Sequence, residues 1–208
     1  MRCLADGCGT WHDRGIGAFV CHNRSAVHRS TLGHLHRRGC PGGAHAIYAL
    51  SDYTIRLTPN EETTEQTWKV GEAHAHAAGE HSLQNIGTTE ASFLVVARTP
   101  QTLSPSGVKV TPPKTMPSSS GLSKMLLNND DFAVAEVRIP AGPLPRHPGL
   151  ARIVYSLSDY TIDYTSNDSP AKSQSFQTGD THWHDADEHV ITNTGVTEAR
   201  CMMVQLKR

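Results

Sequence analysis

Short runs of alternating apolar and polar residues follow one another along most of the chain. In Phe132–Ile139 (FAVAEVRI) the larger apolar side chains fall mainly on every second position, and residues 152–164 alternate in a similar way. A period of two is typical of β-strands, whose successive side chains point to opposite faces. Gly-Asp, Gly-Glu and Asn-x-Gly segments separate these runs, and no stretch keeps a 3.6-residue apolar period. The pattern predicts an all-β protein.

The pattern occurs twice. Residues 47–55 (IYALSDYTI) recur almost unchanged as residues 154–162 (VYSLSDYTI), at an offset of 107. Residues 71–85 (GEAHAHAAGEHSLQN) match residues 179–193 (GDTHWHDADEHVITN) at an offset of 108. So many identities in the same order indicate a tandem duplication. Each copy is expected to form a small antiparallel barrel or jelly roll.

The segment between the two copies has a different composition. Residues 99–123 contain five prolines and the run SSSG, which cannot bury a core and predict a linker. The predicted organisation is a divergent segment over residues 1–40, a partial first barrel over 41–98, this linker, and a second barrel over 124–208.

Charge and hydropathy restrict the partners of the chain. Of its 208 residues, 19 are Lys or Arg and 20 are Asp or Glu, so it has no basic field that would hold nucleic acid. No apolar run approaches the roughly 18 residues of a membrane-spanning helix. The first residues lack the apolar core of a signal peptide. We therefore expect a cytoplasmic protein that binds neither nucleic acid nor a membrane.

The first forty residues differ from the rest of the chain. They contain four of the five cysteines and five of the 13 histidines, but no lysine. Their cysteine and histidine spacings do not match those of a zinc site. An odd number of cysteines, without a sign of secretion, disfavours a disulfide framework. The segment has the length of the strands missing from the first copy but no similarity to them.

Each copy also contains a turn glycine, a short strand, a tight turn and then His-x-x-x-Asn, at His81 and Asn85 and again at His189 and Asn193. This order resembles the second motif of the cupin superfamily. The Glu-His pair and the closing strand resemble short cupins associated with β-alanine degradation. The resemblance implies two tandem cupin-type jelly-roll barrels, a bicupin, the first with an incomplete or divergent N-terminal part.

Two origins of that N-terminal part stay open. It is either a divergent but genuine arm, or a segment read out of the frame of an ancestral cupin sequence. Translation of the source DNA in all frames would distinguish them, because only the second origin leaves a cupin-like strand in another frame.

The resemblance further implies a divalent metal ion inside a barrel, held by His-x-His followed by Glu in a first motif and by the second-motif histidine. Only part of this set is present. In the second copy, His147 lies at the position of the second histidine of the first motif, and Pro145 lies at the position of the first histidine. No Glu follows at the expected distance. In the first copy the repeat offset places Cys40-Pro41 opposite His147-Pro148.

Both copies nevertheless offer candidate metal ligands. His182 and His184 lie two apart on a predicted strand and share one face, but if Trp183 between them faced the core they would face outward. Imidazole suits Fe, Mn, Ni, Cu or Zn. The predicted ligands of the second barrel are His147, His182, His184 and His189. Those of a weaker second site are His74, His76 and His81, with His45 as a further candidate.

Three other residues are candidates for catalysis or substrate contacts. Glu188 is a weak candidate for a general base, with an exposed carboxylate as the competing interpretation. Tyr155 and Asn193 are candidates for substrate contacts. A repeated aromatic is equally expected in a core, and an asparagine in a turn commonly bonds the backbone.

We expect a bicupin that binds a divalent transition metal in the second barrel and acts on a small polar metabolite. If the protein is catalytic, oxygenase-, isomerase- or lyase-like chemistry is the natural class. The alternative is a non-catalytic, degenerate bicupin that binds a small molecule or has a structural role without metal. The resemblance also implies a possible homodimer.

Overall fold

A computed structural model of the chain describes residues 10–13, 16–23, 44–59, 62–77, 81–98, 122–166 and 169–207, with side chains for 44–58, 62–77, 83–97, 122–166 and 169–207. Every regular element in these ranges is a β-strand, which confirms the all-β prediction. The chain divides into two units, Met1–Gly107 and Val108–Arg208. The described ranges contain no helix with the length and hydropathy needed to cross a membrane.

The described part of the first unit forms two antiparallel sheets. Its strands are β1 (Thr10–Asp13), β2 (Ile16–Asn23), β3 (His45–Ala49), β4 (Tyr53–Pro59), β5 (Thr64–Trp68), β6 (Ala73–His76), β7 (His81–Asn85) and β8 (Ala91–Arg98). One sheet has the order β1-β2-β8-β3-β6, and the facing sheet has the order β5-β4-β7.

The described part of the second unit has the same arrangement with two additional short strands. Its strands are β9 (Ser123–Asn128), β10 (Phe132–Ile139), β11 (Gly142–Pro143), β12 (His147–Gly149), β13 (Arg152–Ser156), β14 (Tyr160–Ser166), β15 (Lys172–Phe176), β16 (Thr181–His184), β17 (Asp187–Asn193) and β18 (Ala199–Leu206). One sheet has the order β16-β13-β18-β10-β9. The facing sheet has the order β11-β17-β14-β15, with β12 also paired to β17.

The duplication seen in the sequence is repeated in the strand order. Strands β3 to β8 occupy the places that β13 to β18 occupy in the second unit. The place of β10 is taken in the first unit by β2, which pairs with β8 as β10 pairs with β18. Such pairing is made by backbone N–H and C=O groups, so it requires no sequence similarity.

Several predicted boundaries lie outside the described residues. Of the predicted divergent segment over residues 1–40, the structure describes only β1 and β2. Cys40-Pro41, opposite His147-Pro148, lies outside, as does the predicted linker over 99–123 except for its last two residues.

The predicted strand over Phe132–Ile139 is confirmed as β10, whereas residues 152–164 form two strands. β13 and β14 belong to different sheets, and the chain crosses between the sheets at residues 157–159. The Asp159 side chain fixes this crossing, because its Oδ1 accepts a hydrogen bond from the backbone N–H of Thr178 at 2.6 Å. Periodicity alone does not reveal such a crossing, since the alternation continues on both sides of it.

Each unit buries a hydrophobic core of its own. The buried residues of the first core are Ile47, Ala49, Tyr53, Ile55, Ala91, Phe93 and Val95. Those of the second core are Ile139, Tyr160, Ile162, Ile191 and Ala199. The duplicated Tyr and Ile of the repeat lie in both cores, so the repeated sequence encodes the packing of both units.

A duplicated turn leads into β6 and β16, the strands that carry His-x-His. Gly71 and Gly179 have φ angles of 85° and 98°, a region that side chains disfavour and glycine adopts readily. Their N–H groups donate to Ala49 O and Ser156 O at 2.9 Å. The turn therefore fixes where the histidines enter each barrel.

Candidate functional site

The second unit contains a cavity of about 70 Å³ between its two sheets. Much of its wall is aliphatic, with Val137 and Ile139 from β10, Ile191 from β17 and Met203 from β18. The side chains that bring hydrogen-bonding groups to the wall are Ser123, His147, Arg152, His189 and Gln205. The polar groups come from strands that are distant in sequence.

Two of the predicted ligands meet at this cavity. His147 on β12 pairs in register with His189 on β17, and the ring centres lie 4.3 Å apart in an edge-to-face arrangement. His147 is partly exposed, and its Nδ1 lies 2.9 Å from the backbone oxygen of Pro145. His189 is only 1% exposed. The short strand β12 thus places His147, at the position of a first-motif histidine, beside His189, the histidine of the second motif.

A carboxylate and a guanidinium contact the two nitrogens of the His189 ring. Nδ1 lies 2.9 Å from Oδ1 of Asp187, and Nε2 lies 3.5 Å from Nη2 of Arg152. Because a guanidinium only donates, Nε2 is the accepting nitrogen and Nδ1–H donates to Asp187. The hydroxyls of Tyr164 and Ser166 donate to the other oxygen of Asp187 at 2.7 and 2.5 Å. These contacts fix the tautomer of His189.

Arg152 places a permanent charge on the wall of the cavity. Its side chain lies on β13 and is buried, with the residue 6% exposed. Its Nη1 donates to the backbone oxygen of Leu150 at 2.8 Å. The ion pairs of the described second barrel join other residues and do not include Arg152. A guanidinium stays protonated even when buried, so the cavity wall is positively charged here.

His182 and His184 on β16 point into the space between the sheets. The His182 ring stacks on Phe176 of the facing sheet, with ring centres 4.2 Å apart. The His184 ring centre lies 5.0 Å from that of Tyr164, also in the facing sheet. Since successive strand residues face opposite ways, Trp183 faces the other side of its sheet.

Three histidines of the second barrel, of which His189 is buried and two are half-buried, are neutral at pH 7. Burial, and after it the charge of Arg152, lowers the pKa of His182 to about 4, that of His184 to about 3 and that of His189 to about 4. Burial opposes ionisation of Asp187, but three hydrogen bonds outweigh it and lower the pKa of that carboxyl. The site therefore combines one guanidinium, one carboxylate and neutral imidazoles.

A corresponding cluster lies in the first barrel. His45 on β3 pairs in register with His76 on β6, and their rings stack with centres 5.1 Å apart. The ring centres of His74 and His76 lie 5.0 Å apart, and His74 stacks on Trp68 of the facing sheet at 3.8 Å. Burial, followed by the nearby His76 and His45, lowers the pKa of His74 to about 3. The side chain of His81 lies outside the described residues.

The fold is shared with solved structures of known proteins, although no protein-family model and no curated protein matches the chain. A mutant of Bacillus subtilis oxalate decarboxylase OxdC matches 92% of this chain and 69% of its own, with 14% identity and a TM-score of 0.61. AerE from Microcystis aeruginosa matches 96% of this chain and 91% of its own, with 10% identity and a TM-score of 0.62. The chain has the bicupin fold. This confirms the predicted tandem jelly-roll barrels, whereas the likeness to cupins of β-alanine degradation stays a prediction.

The metal content of proteins with a similar fold does not transfer directly to this chain. A further structure of the Bacillus subtilis oxalate decarboxylase was studied for its Mn(II) centres. In the described ranges of the present chain, no group of three His, Cys, Asp or Glu side chains is arranged to hold a metal ion. In the second barrel, the Nε2 lone pair of His189 faces the guanidinium of Arg152, so a metal ion at this nitrogen would meet a like charge.

The predicted catalytic and substrate-contact residues of the second barrel lie away from the cavity. Glu188 is exposed and is adjacent in sequence to His189, so it faces the opposite side of β17. Tyr155 is buried, but it lies three residues after Arg152 on β13. Its side chain therefore points to the opposite face of the strand and does not line the cavity. The Asn193 side chain is buried, and its amide bonds three backbone groups, those of Ile139, Thr197 and Gly195.

Two side chains of the site, Arg152 and Asp187, are not among the sequence-based candidates. Arg152 does leave a signal, because a charged residue within the apolar strand RIVYS is seldom buried without a partner or a function. Asp187 leaves none, since Asp-Ala-Asp is ordinary turn composition. Its role depends on the hydrogen bonds that it receives from β14 and from His189.

Proposed function

We propose that the second barrel of this bicupin binds a small molecule that carries a carboxylate, and that the guanidinium of Arg152 anchors it. The supporting observation is a buried guanidinium on the wall of a largely apolar cavity, outside every ion pair of the described second barrel. This corresponds to the metal-free small-molecule-binding alternative derived from the sequence.

The charge of Arg152 defines the complementary group of the ligand. A buried charge is costly unless an opposite charge or several hydrogen bonds compensate it. The His189 ring lies between Asp187 and Arg152, at 2.9 Å from the carboxylate and 3.5 Å from the guanidinium, and the Tyr164 hydroxyl also bonds both side chains. A carboxylate in the cavity would compensate the charge directly, because the planar guanidinium matches a carboxylate in shape and hydrogen bonding.

The volume and walls of the cavity restrict the rest of the ligand. A cavity of about 70 Å³ is about half of the ~150 Å³ that holds a benzene molecule in an engineered protein core. The side chains of Val137, Ile139, Ile191 and Met203 favour a short aliphatic chain over a polar one. We therefore infer a short aliphatic carboxylate, with the partly exposed His147 available to a further polar group.

Metal-dependent chemistry in the second barrel stays a prediction, as do the homodimer and the cytoplasmic location. The charge of Arg152 at the His189 nitrogen favours the metal-free alternative. His189 is neutral at pH 7 and its Nδ1–H is held by Asp187, so any proton it accepts must arrive at Nε2.

Calorimetric titration of the full chain with sodium propionate tests the proposal, with propionamide as a neutral ligand of nearly the same shape. We expect saturable binding of propionate and at least about tenfold weaker binding of propionamide. The reason is that a hydrogen bond to a charged group contributes roughly 1.5–3 kcal/mol, and 1.4 kcal/mol is a factor of ten. Equal affinities for the two compounds would contradict the proposal.

The matched variants are Arg152→Met and Arg56→Met. Arg152→Met keeps the length of the side chain but removes its charge, so propionate binding should weaken about 10- to 100-fold. Arg56 is an exposed arginine of the first barrel that pairs with Glu65 at 2.8 Å, and its replacement should leave propionate binding unchanged. Unchanged binding in Arg152→Met would exclude Arg152 as the anchoring group.

A further inference from the structure

The second barrel differs from the first at the buried position that carries Arg152. At an offset of 107, His45 of the first copy corresponds to Arg152 of the second, and both residues are buried. His45 pairs in register with His76, the last histidine of its His-x-His strand, and Arg152 pairs with His184 in the same way. The guanidinium is therefore a feature of the second barrel, and the groups near it define the rest of the ligand.

The His147 side chain lies on the face of β12 that Arg152 approaches. A Cβ added at Gly149 would lie 2.4 Å from Nη1 of Arg152, so the guanidinium lies on the face to which position 149 points. Positions 147 and 149 are two residues apart on one strand, so their side chains share that face and begin roughly 6–7 Å apart. The imidazole and the guanidinium both line the cavity, at neighbouring points of its wall.

The hydrogen bonding of His147 determines which kind of group it can receive from a ligand. Its Nδ1 lies 2.9 Å from the backbone oxygen of Pro145, and since a carbonyl oxygen only accepts, Nδ1–H is the donor. A neutral imidazole has one donor and one acceptor, so Nε2 keeps its lone pair. Arg152 can only donate to a ligand, whereas His147 accepts. A ligand that satisfies both side chains carries an acceptor at one end and a donor at the other.

Charge and distance identify this donor as a hydroxyl at the far end of a short chain. An ammonium group would also donate to Nε2, but it would bring a second positive charge into a largely apolar cavity beside Arg152. A hydroxyl on the carbon next to the carboxylate would stay at the guanidinium. A hydroxyl on the terminal carbon extends away from it, as the roughly 6–7 Å between positions 147 and 149 requires.

We propose, resting on the carboxylate site proposed above, that the ligand class is a short hydroxy acid whose terminal hydroxyl donates to Nε2 of His147. The carboxylate binds Arg152, and the carbon chain lies against the aliphatic wall of the cavity. His147 is then a specificity-determining residue, because it distinguishes a hydroxy acid from the simple acid of the same chain length.

Calorimetric titration of the full chain with 3-hydroxypropionate, propionate, lactate and β-alanine tests this assignment. We expect 3-hydroxypropionate to bind about three- to tenfold more tightly than propionate, because one hydrogen bond between neutral groups contributes a net gain of about that size. Lactate has its hydroxyl beside the carboxylate, and β-alanine has an ammonium group in place of the terminal hydroxyl. Both should bind more weakly than 3-hydroxypropionate, and equal or tighter binding of either would overturn the assignment of a terminal hydroxyl.

The matched variants are His147→Phe, His147→Gln and Arg146→Met. His147→Phe keeps a ring but removes the acceptor, so the preference for 3-hydroxypropionate over propionate should fall below about twofold while propionate still binds. His147→Gln supplies an acceptor oxygen again and should regain part of the preference. Arg146 is adjacent to His147 but exposed and outside the cavity wall, so its replacement should leave the preference unchanged. A purely structural role of His147 would weaken both acids alike.

The outcomes separate this inference from the carboxylate site on which it rests. If propionate binds but 3-hydroxypropionate binds no more tightly, or if the preference persists in His147→Phe, the role assigned to His147 is wrong and the anchor at Arg152 stands. If none of the four compounds binds to the wild type, the carboxylate site is wrong and the role of His147 is wrong with it.

Discussion

His45 and Arg152 show how one side chain sets the electrostatics of a barrel. A buried imidazole releases its proton and becomes neutral, whereas a buried guanidinium keeps its charge. In the first barrel, burial therefore keeps the His74 ring neutral. In the second barrel the same place carries a fixed positive charge that lowers the pKa of the neighbouring histidines further. The two barrels share a fold and differ in the charge that they can accept.

The histidines that point into the second barrel make stability depend on pH. Unfolded histidines titrate near pH 6.5, whereas the pKa values of His182, His184 and His189 in the folded chain are about 4, 3 and 4. Between these values the unfolded chain binds more protons, so the free energy of unfolding falls as the pH falls below about 6.5. We expect a loss on the order of 1 kcal/mol per histidine between pH 7 and pH 5, measured by urea unfolding.

His184→Gln should reduce this pH dependence. Glutamine does not titrate, so the variant should lose about one third of the slope that the three histidines of the second barrel contribute. The control is a measurement between pH 8 and pH 9, where all three histidines are neutral in both states and the curves of wild type and variant should run parallel. A slope below pH 6.5 that is the same in both proteins would show that His184 is not held neutral by the fold.

The residues of the site could be predicted only where they follow local rules. Alternation places His182 and His184 on one face of β16. That this face points inward depends on the pairing of β16 with β13 and on the contacts of the two rings with aromatic side chains of the opposite sheet. The sequence does not predict Arg152 as a residue of the site, because its environment is formed by the long-range pairing of β12 with β17. Its equivalence with His45 is visible in the repeat, but the effect on charge depends on burial of both side chains.

Among the elements, β12 is only three residues long, yet all three of them line the cavity. It pairs with β17 and so brings the backbone of residue 149 against the His189 ring. A Cβ added at Gly149 would lie 2.3 Å from Cε1 of His189 and 2.4 Å from Nη1 of Arg152. Glycine is therefore required here for close approach between the strand and the side chains of His189 and Arg152.

Gly149→Ala should disturb the site and destabilise the second barrel. The added methyl group cannot be accommodated without moving His189 or Arg152, and such overpacking typically costs about 1–3 kcal/mol. We expect this loss in urea unfolding, together with weaker propionate binding. Gly87→Ala in the first barrel is the matched control, because its nearest neighbouring atoms lie at 3.3 Å and it should leave propionate binding intact. Full affinity for propionate in Gly149→Ala would mean that Arg152 does not need its present position.

The strands themselves were predictable to different degrees. β10 follows from its period of two, and the duplicated strands follow from the repeat. The role of β2 could not be predicted, because its pairing with β8 uses backbone groups and leaves no trace in side-chain similarity. The short strands β11 and β12 are too brief for a period and form through their pairing with β17.

For the whole molecule, the duplication has preserved packing and allowed the interiors to diverge. The equivalent residues Tyr53 and Tyr160, and Ile55 and Ile162, lie in separate cores. At two positions that face the interior the copies differ: Phe176 takes the place of Trp68, and Arg152 takes the place of His45. The histidines of β6 and β16 are the same in both copies. A packed core tolerates few changes of volume, whereas a polar position inside a barrel can change when its ligand changes. Substitution at such a position is therefore the expected route by which one of two barrels with the same fold acquires a different charge.

A ligand of the second barrel should protect that unit and leave the first unit, which has a separate core, unchanged. A ligand that binds only the folded form of one unit stabilises that unit by mass action, and amide exchange reports such stability locally. In the full chain we expect propionate to slow hydrogen exchange in β12, β13 and β17 and to leave it unchanged in β3 and β6. Mass spectrometry of peptides from the exchanged protein measures both effects. The first barrel serves as the internal control, and equal protection of β3 and β6 by propionate would contradict the assignment of the carboxylate to Arg152.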